Sequence, residues 1–361
     1  MNFFGGGAKT KKKKDSKKND REQRKIDENK LNEIIPYHFS MRGQGTKKID
    51  CQDAVAIVDT YPQDFFFLAV LDGHGSSGRE ASTAASDNFQ HYFIEKHLNK
   101  IRKLITNRDR ETFLQSAFKN TEKKLRKSGI DYSNSGTCCV SVFFQGNNCT
   151  IANLGDSRAV LCRWIREKIA IELSTDHKPT NREERIRIIK KGGKIERMNH
   201  GGVPIGPMRV WADDEGPGIA MTRTLGDLQA KKIGLISEPE VKHIELKPGD
   251  RFIVVASDGL WDVMDSAEVV GFILKQCGTG IEGKPPIPQT EAAQALVKEA
   301  RGRWEEKIRT NKAVNEVGDL FAAKKGIDDI TAIVAFLKFH GDAAVNLTEP
   351  FNNIMMMREG P

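Results

Sequence analysis

Short apolar runs separated by turn residues follow one another along most of the chain, and this pattern predicts a protein rich in β-strands. Three of the runs, at 65–71, 252–257 and 330–339, are strongly apolar, which is typical of buried strands. Between residues 137 and 173 further runs are joined by turns of a few residues, and strands joined so closely pair antiparallel. Helical periodicity is found near 79–98, 110–126, 181–191, 266–277 and 291–308. The pattern therefore predicts an α+β fold in which helices lie outside antiparallel sheets.

Two segments depart from this pattern. The stretch from Gly192 to Gly218 is rich in glycine, proline and polar residues, and we expect an irregular surface insertion there, of the kind that often shapes substrate entry. Residues 278–290 contain three prolines and are predicted to form a loop. Because neither a repeat nor a linker divides the rest, we expect one domain over 31–345, followed by a C-terminal tail over 346–361.

The net charge of +8 is concentrated at the N-terminus. Residues 1–30 carry 11 Lys and Arg against 5 Asp and Glu, which leaves 46 against 44 for the remainder. We interpret 1–30 as a basic, disordered, solvated tail, with a nuclear-import or anionic-surface role as the alternative. The nearly neutral body argues against nucleic-acid binding.

The six cysteines form no CxxC pair and have no histidine partners at zinc spacing. This favours a reducing setting, in the cytoplasm, the nucleus or both. The apolar runs are strand-sized, so we expect no membrane span.

Three aspartates stand beside strongly apolar runs, and they are the candidate chemistry of the chain. Asp72 and Asp258 follow such runs, and Asp328 precedes one. A single aspartate of this kind more often caps a turn, but three at strand ends favour a metal site because buried carboxylates need a cation. Carboxylate and carbonyl oxygens select Mg²⁺ or Mn²⁺ over Zn²⁺. Gly73 could bring its carbonyl close to an ion, and His74 could donate a proton, although a histidine is more often an ordinary hydrogen-bonding residue.

Eight motifs follow one another along the chain from about residue 38 to residue 339. They are Asp72-Gly73-His74-Gly75, Ser135-Gly136-Thr137, Ala152-Asn153-Leu154-Gly155-Asp156-Ser157-Arg158, Ser174-Thr175-Asp176-His177-Lys178-Pro179, Thr222-Arg223-Thr224-Leu225-Gly226-Asp227, Glu238-Pro239-Glu240, Ser257-Asp258-Gly259-Leu260-Trp261-Asp262 and Asp328-Asp329-Ile330-Thr331. In this order they resemble the motifs of the protein phosphatase 2C family. Gln52-Asp53-Ala54 and Gly234-Leu235-Ile236-Ser237 look like the plant and protist type of this family.

The resemblance implies two antiparallel sheets packed face to face, with helices outside and a binuclear Mg²⁺ or Mn²⁺ site at one edge. By this resemblance Asp72 would bridge both metals and Gly73 would offer its carbonyl to one. Asp258 and Asp328 would hold the other, and Asp156 would help to bind a weaker third ion.

The resemblance also implies roles for the residues around the metals. Asp53 would orient the metal-held water, and His74 would be the general acid. Many members have an arginine that contacts phosphate where this chain has Lys48, and a glutamate ligand where it has Gln52. Lysine keeps the charge without the bidentate fork, and glutamine keeps an acceptor oxygen without the charge.

The implied activity is dephosphorylation of phosphoserine and phosphothreonine in proteins by a water that bridges the metals, without a phosphoenzyme. A cysteine phosphatase that uses Cys51 is disfavoured because no Cys-x5-Arg loop is present. Two alternatives remain: a catalytically silent phosphoprotein-binding pseudophosphatase, and a two-metal hydrolase of small phosphoesters or nucleic acid. We expect a monomer whose partners are phosphorylated proteins.

Overall fold

The computed structural model describes residues 29–44, 50–61, 64–211, 218–280, 284–314, 326–340, 342 and 344–349. Most of the predicted basic tail, most of the predicted C-terminal tail and Lys48 lie outside these ranges.

The strands and helices are numbered here in chain order. The strands are β1 Leu31–Met41, β2 Asp53–Asp59, β3 Phe66–His74, β4 Gly136–Gln145, β5 Asn148–Leu154, β6 Arg158–Trp164, β7 Lys168–Glu172, β8 Lys194–His200, β9 Val203–Trp211, β10 Leu225–Gly226, β11 Glu240–Glu245, β12 Asp250–Ala256 and β13 Ile330–Phe339. The α-helices are α1 Gly78–His91, α2 Leu98–Ile101, α3 Asn107–Lys127, α4 Arg182–Lys190, α5 Leu228–Lys231, α6 Asp258–Trp261, α7 Ser266–Leu274 and α8 Ala292–Val314. Short π-helical turns extend α1 at Tyr92–Lys96 and α7 at Lys275–Thr279, and a 3₁₀ turn at Gln289–Glu291 precedes α8.

Two antiparallel sheets form the centre of the molecule, as predicted. The five-stranded sheet has the order β1-β13-β12-β6-β7, and the six-stranded sheet has the order β11-β5-β4-β3-β2 with β10 beside β4. The side chains that face each other between the sheets form one buried apolar cluster. Its members include Phe66, Leu68, Val70, Val142, Phe144, Ile151, Leu161, Ile253, Val255 and Ile333.

Helices cover the outer face of each sheet. Helices α1 and α3 bury their apolar sides on the six-stranded sheet, where the rings of Phe67 and Phe93 stack with centroids 4.2 Å apart. Helices α7 and α8 cover the five-stranded sheet, and Trp304 donates from its indole to the carbonyl of Gly259 at 2.7 Å. Each buried aromatic side chain contributes roughly 2–3 kcal/mol. The predicted order of helix, sheet, sheet and helix is confirmed.

The region from Gly192 to Gly218 differs from the prediction. It contains the hairpin β8–β9 instead of an irregular insertion, although 212–217 lie outside the described residues. The hairpin is joined to the rest of the fold by paired backbone hydrogen bonds between Val210 and Ile219. The expectation of irregularity was wrong because β9 includes two prolines and a glycine, which conceal the strand pattern at the edge of a small sheet.

Strand β1 was not predicted, and β3 is longer than predicted. Pro36 interrupts the apolar pattern of β1, but β1 is an edge strand that pairs with β13 alone, where proline is tolerated. Strand β3 continues through Gly73 and His74, which pair with Thr137 and Gly136 of β4. Asp72 therefore lies within β3 and not after its end.

Candidate metal-dependent active site

Asp53 and Asp72 lie directly opposite each other on β2 and β3. The Ser257 hydroxyl donates to Oδ2 of Asp53 at 2.8 Å, while Oδ1 is buried and accepts no hydrogen bond from the described residues. Burial raises the pKa of Asp53 to about 7 and outweighs the hydrogen-bonding effects of Thr331 and Ser257, which lower it, while the charges of Asp329 and Asp328 add to the rise. A buried oxygen that lacks a donor is suited to a water or an ion.

Asp72 is the centre of a group of five carboxylates. Burial, followed by the charges of Asp258, Asp53, Asp328 and Asp156, raises the pKa of Asp72 well above its ordinary value. Asp72 and Asp53 come from the six-stranded sheet, and Asp258 and Asp328 flank strands of the five-stranded sheet. Asp156 lies in the turn by which the chain passes from β5 to β6, between the sheets. Negative charge is therefore concentrated at the end of the sandwich where these residues of the two sheets come together. We call it the acidic end.

The backbone beside Asp72 is packed too tightly for any residue other than glycine. A Cβ atom on Gly73 would lie 2.3 Å from the carbonyl oxygen of Gly78 and 2.5 Å from that of Gln52. Among the described residues, no group of three or more His, Cys, Asp or Glu side chains is arranged so that it could hold a metal ion without other ligands. Carboxylate oxygens, backbone carbonyls and water are the ligands that Mg²⁺ and Mn²⁺ prefer. The oxygen-only donor set fits these cations.

Asp156 contacts a cation of the protein. The Lys178 ammonium lies 2.5 Å from Oδ2 of Asp156, and the Cys138 thiol donates to Oδ1 at 3.3 Å. Burial would lower the pKa of Lys178, but the charges of Asp156 and Asp258 outweigh it and raise that pKa.

His74 is bound to an aspartate that the sequence analysis did not select. Its Nε2 lies 2.7 Å from Oδ2 of Asp227, a side chain with no solvent exposure. Burial would lower the pKa of His74, but the charge and hydrogen bond of Asp227 outweigh that effect and raise it. The other ring nitrogen, Nδ1, is buried and bonds to none of the described residues. Asp227 thus fixes the orientation of the ring and leaves Nδ1 available.

The backbone of Asp227 is itself held in an unusual conformation. Its φ of 48° is the only positive value among the described residues other than glycine. The preceding Gly226 donates its N–H to the carboxylate of Glu122 on α3 at 3.0 Å, and Lys231 contacts the same carboxylate. Strain of this kind persists where surrounding contacts impose it, often at functional sites. The sequence signal for Asp227 is its position at the end of the motif Thr222 to Asp227.

Asp329 connects the segments on either side of residues 45–49. Its Oδ1 accepts from the N–H of Gly43 at 2.6 Å, and its Oδ2 accepts from the N–H of Gln52 at 2.9 Å. The side-chain amide of Gln52 donates to the carbonyl of Gly75 at 2.9 Å, so Gln52 lies beside the loop that follows His74. Asp329 was not predicted as a site residue, because its role in positioning depends on contacts between segments distant in sequence.

The hairpin β8–β9 contributes a cation that sequence analysis also missed. Arg209 on β9 is half-buried, and its Nη1 donates to the carbonyl of Gly218 at 2.6 Å. Burial lowers the pKa of its guanidinium, although the charges of Asp156 and Asp258 act in the opposite direction. The hairpin therefore borders the acidic end of the sandwich.

No helix in the described ranges is long and apolar enough to cross a bilayer.

Comparison with known proteins agrees with this architecture. The family model for protein phosphatase 2C matches residues 37–306. The chain is 33% identical over 327 residues to probable protein phosphatase 2C 73 of Oryza sativa subsp. japonica, covering 80% of this chain and 69% of that relative. It is 33% identical over 294 residues to probable protein phosphatase 2C 65 of Arabidopsis thaliana, covering 76% of this chain and 74% of the relative.

A solved structure shows the same fold. The crystal structure of serine-threonine phosphatase 2C from Toxoplasma gondii superposes with a TM-score of 0.67 at 20% identity, covering 85% of this chain and 100% of that one. The family match, the two relatives and the shared sandwich together show that the chain belongs to the protein phosphatase 2C family of protein serine/threonine phosphatases.

Proposed function

We propose that the chain removes phosphate from phosphoserine and phosphothreonine in proteins by direct attack of water on phosphorus, at a site that would hold two Mg²⁺ or Mn²⁺ ions. The observation that carries this proposal is the convergence of four carboxylates, in which the charges of Asp258, Asp53 and Asp328 help to raise the pKa of Asp72. When bound, two such ions would supply an acidified water and neutralise charge on the phosphoryl oxygens.

The ligands of the ions would come from both sheets. Asp72 would contact both ions, the Gly73 carbonyl would contact one, and Asp258 with Asp328 would hold the other. Gln52 would lie beside the site, since its amide already bonds to the loop after His74. Asp53 would orient the attacking water and accept its proton, because Ser257 fixes one of its oxygens and leaves the other available.

His74 would protonate the leaving serine or threonine oxygen. Since Asp227 holds Nε2, the proton would be delivered from Nδ1. A protonated His74 beside Asp227 suits a general acid, and Asp227 acts as its positioning residue. The remaining phosphate contact is proposed for Lys48, which lies outside the described residues.

The oligomeric state and the cellular location of the enzyme are proposed from the amino-acid composition. We propose a monomer acting on phosphorylated proteins in the cytoplasm, the nucleus or both, supported by six free cysteines that include four buried ones. The catalytic domain would span 31–345, with the basic tail 1–30 and the C-terminal tail 346–361 outside it.

The decisive experiment is phosphate release from a phosphothreonine peptide by metal-stripped protein, with Mn²⁺ added back and with excess chelator. We expect turnover only with Mn²⁺. Binding of the phosphopeptide without turnover would show a pseudophosphatase. Turnover that survives chelation would contradict the metal mechanism.

The role of His74 is tested by the leaving group. His74→Asn should lose roughly a hundredfold in kcat on the phosphothreonine peptide. It should lose far less on p-nitrophenyl phosphate, because nitrophenolate leaves without a proton. His91→Asn is the matched control, since His91 is a partly exposed histidine at the end of α1 that pairs with Glu95. Equal losses on both substrates would contradict the general-acid assignment.

A further inference from the structure

Asp156 and Lys178 form an ion pair beside the proposed metal centre. Asp156 is 1% exposed and the Lys178 side chain is 32% exposed, with Nζ and Oδ2 2.5 Å apart. The second oxygen of Asp156 accepts from the Cys138 thiol at 3.3 Å. Both oxygens of the carboxylate are therefore engaged by protein groups.

The segment that carries Lys178 is held in place by contacts that do not involve Asp156. The N–H of Lys178 donates to the carbonyl of Asp176 at 3.1 Å. The carboxylate of Asp176 in turn accepts from the Arg158 guanidinium at 3.0 and 2.8 Å. His177 donates its N–H to the carbonyl of Gly155 at 2.8 Å, which joins the segment to the residue before Asp156. The backbone of Lys178 is thus held next to the turn that carries Asp156, within reach of its carboxylate.

The position of this ammonium opposes a metal at Asp156. A dication that approached the carboxylate would either lie beside a fixed positive charge or displace it. Displacement would leave a partly buried ammonium without its counter-ion, which is strongly unfavourable. The charges of Asp258 and Asp262 also act on Lys178, so the ammonium neutralises this side of the acidic end as a third ion would.

We propose that Lys178 is a resident cation that takes the place of a third metal ion, so that the chain binds two ions and Asp156 is not a ligand. This inference rests on the proposed two-ion centre and changes the role that the family resemblance gave to Asp156. Asp156 and Lys178 instead border the centre as a neutral pair.

The test counts bound ions without measuring turnover. Mn²⁺ is titrated into the metal-stripped full chain, and free Mn²⁺ is measured by electron paramagnetic resonance. We expect two ions for the wild type and three for Lys178→Met, with the third bound at least about tenfold more tightly than any third ion in the wild type. The double variant Lys178→Met with Asp156→Asn should return to two, because the freed carboxylate has been removed.

Controls separate this effect from a change in folding. Lys168→Met, which removes a lysine packed over the Trp164 ring, should keep two ions. Circular dichroism tests whether each variant is folded. If Lys178→Met is not folded, Lys178→Gln is titrated in its place. Unchanged stoichiometry and affinities in the folded Lys178 variant would overturn the inference.

The wild-type titration is informative by itself. A third ion in the wild type that is lost on Asp156→Asn would overturn the role of Lys178 and leave the two-ion centre standing. A wild type that binds no Mn²⁺ would contradict the two-ion centre and with it the inference.

Discussion

The two ends of strand β12 carry the same residue type in opposite electrostatic environments. Asp250 begins the strand, has no exposed side-chain surface, and accepts from Arg163 Nε at 2.6 Å and Nη2 at 3.0 Å. Asp258 follows the other end and contributes to the negative charge around Asp72. A buried carboxylate with its own guanidinium stabilises the fold, whereas carboxylates grouped with one another store repulsion that a cation relieves. The contrast separates structural from functional aspartates.

The largest expected effect is at the acidic end. Asp258→Asn should lower kcat/KM on a phosphothreonine peptide by about a thousandfold, or about 4 kcal/mol, because a metal ligand is lost. The metal-free variant should lose less stability than Asp250→Asn, since the substitution also relieves the repulsion between Asp258 and Asp72. Peptide turnover at saturating Mn²⁺ and urea unfolding without metal check the two parts, and near wild-type turnover would show that Asp258 is not a ligand.

Asp250→Asn should show the reverse behaviour. Removing one partner of a buried ion pair leaves Arg163 uncompensated, and we expect a loss of about 3 kcal/mol in the free energy of unfolding. Turnover per folded molecule should be unchanged, because Asp250 lies at the other end of the strand. Urea unfolding at neutral pH measures the loss. A variant as stable as the wild type would remove the distinction between the two ends.

The pH dependence of stability follows from Asp53. Its pKa in the folded state is about 7, against an ordinary value of 3.8. The folded chain therefore binds more protons than the unfolded chain between these values, so the free energy of unfolding should fall as pH rises from about 4 to about 7. Urea midpoints of the metal-free protein across this range measure the fall, and Asp53→Asn should make it shallower, while the raised pKa of Asp72 preserves part of it. An equally steep fall in that variant would show that groups other than Asp53 cause the pH dependence.

The smallest expected effect is at Gln52. A carboxylate near a dication is worth roughly 1–4 kcal/mol at about 4 Å in a wet site, so Gln52→Glu should lower the Mn²⁺ concentration for half-maximal activity by about tenfold. The rate at saturating metal should rise less, because added negative charge makes the bridging water less acidic. Metal titrations of both proteins at one pH decide the matter. An unchanged midpoint would place Gln52 outside the metal's surroundings.

Sequence patterns predicted the strands and turns whose formation depends on residues that are close together in the sequence. Strand β13 was predicted with its observed bounds because its apolar run is continuous, and the turn at Gly146 fixed the pairing of β4 with β5. Strand β1 and the hairpin β8–β9 were missed, since prolines interrupt their patterns and only tertiary pairing makes them strands.

Asp72, Asp258 and Asp328 were visible in the sequence because they adjoin strongly apolar runs, whereas Asp53 and Asp156 were implied only by the family resemblance. The partners of the site residues were not visible. Asp227 meets His74 across 153 positions, and Asp329 meets Gly43 across 286, distances at which no local pattern carries information. Lys178 lies in one of the eight motifs, but its contact with Asp156 depends on two turns that meet only in the folded chain.

The most direct test of the acidic end as a metal centre is the stability conferred by Mn²⁺, which needs no substrate. Urea unfolding of the wild type and Asp258→Asn is compared at neutral pH with and without Mn²⁺. At a Mn²⁺ concentration about a hundred times the wild-type Kd of each site, the wild type should gain about 2.7 kcal/mol for each ion bound, and the variant should gain far less. Equal stabilisation of the two proteins would contradict the account.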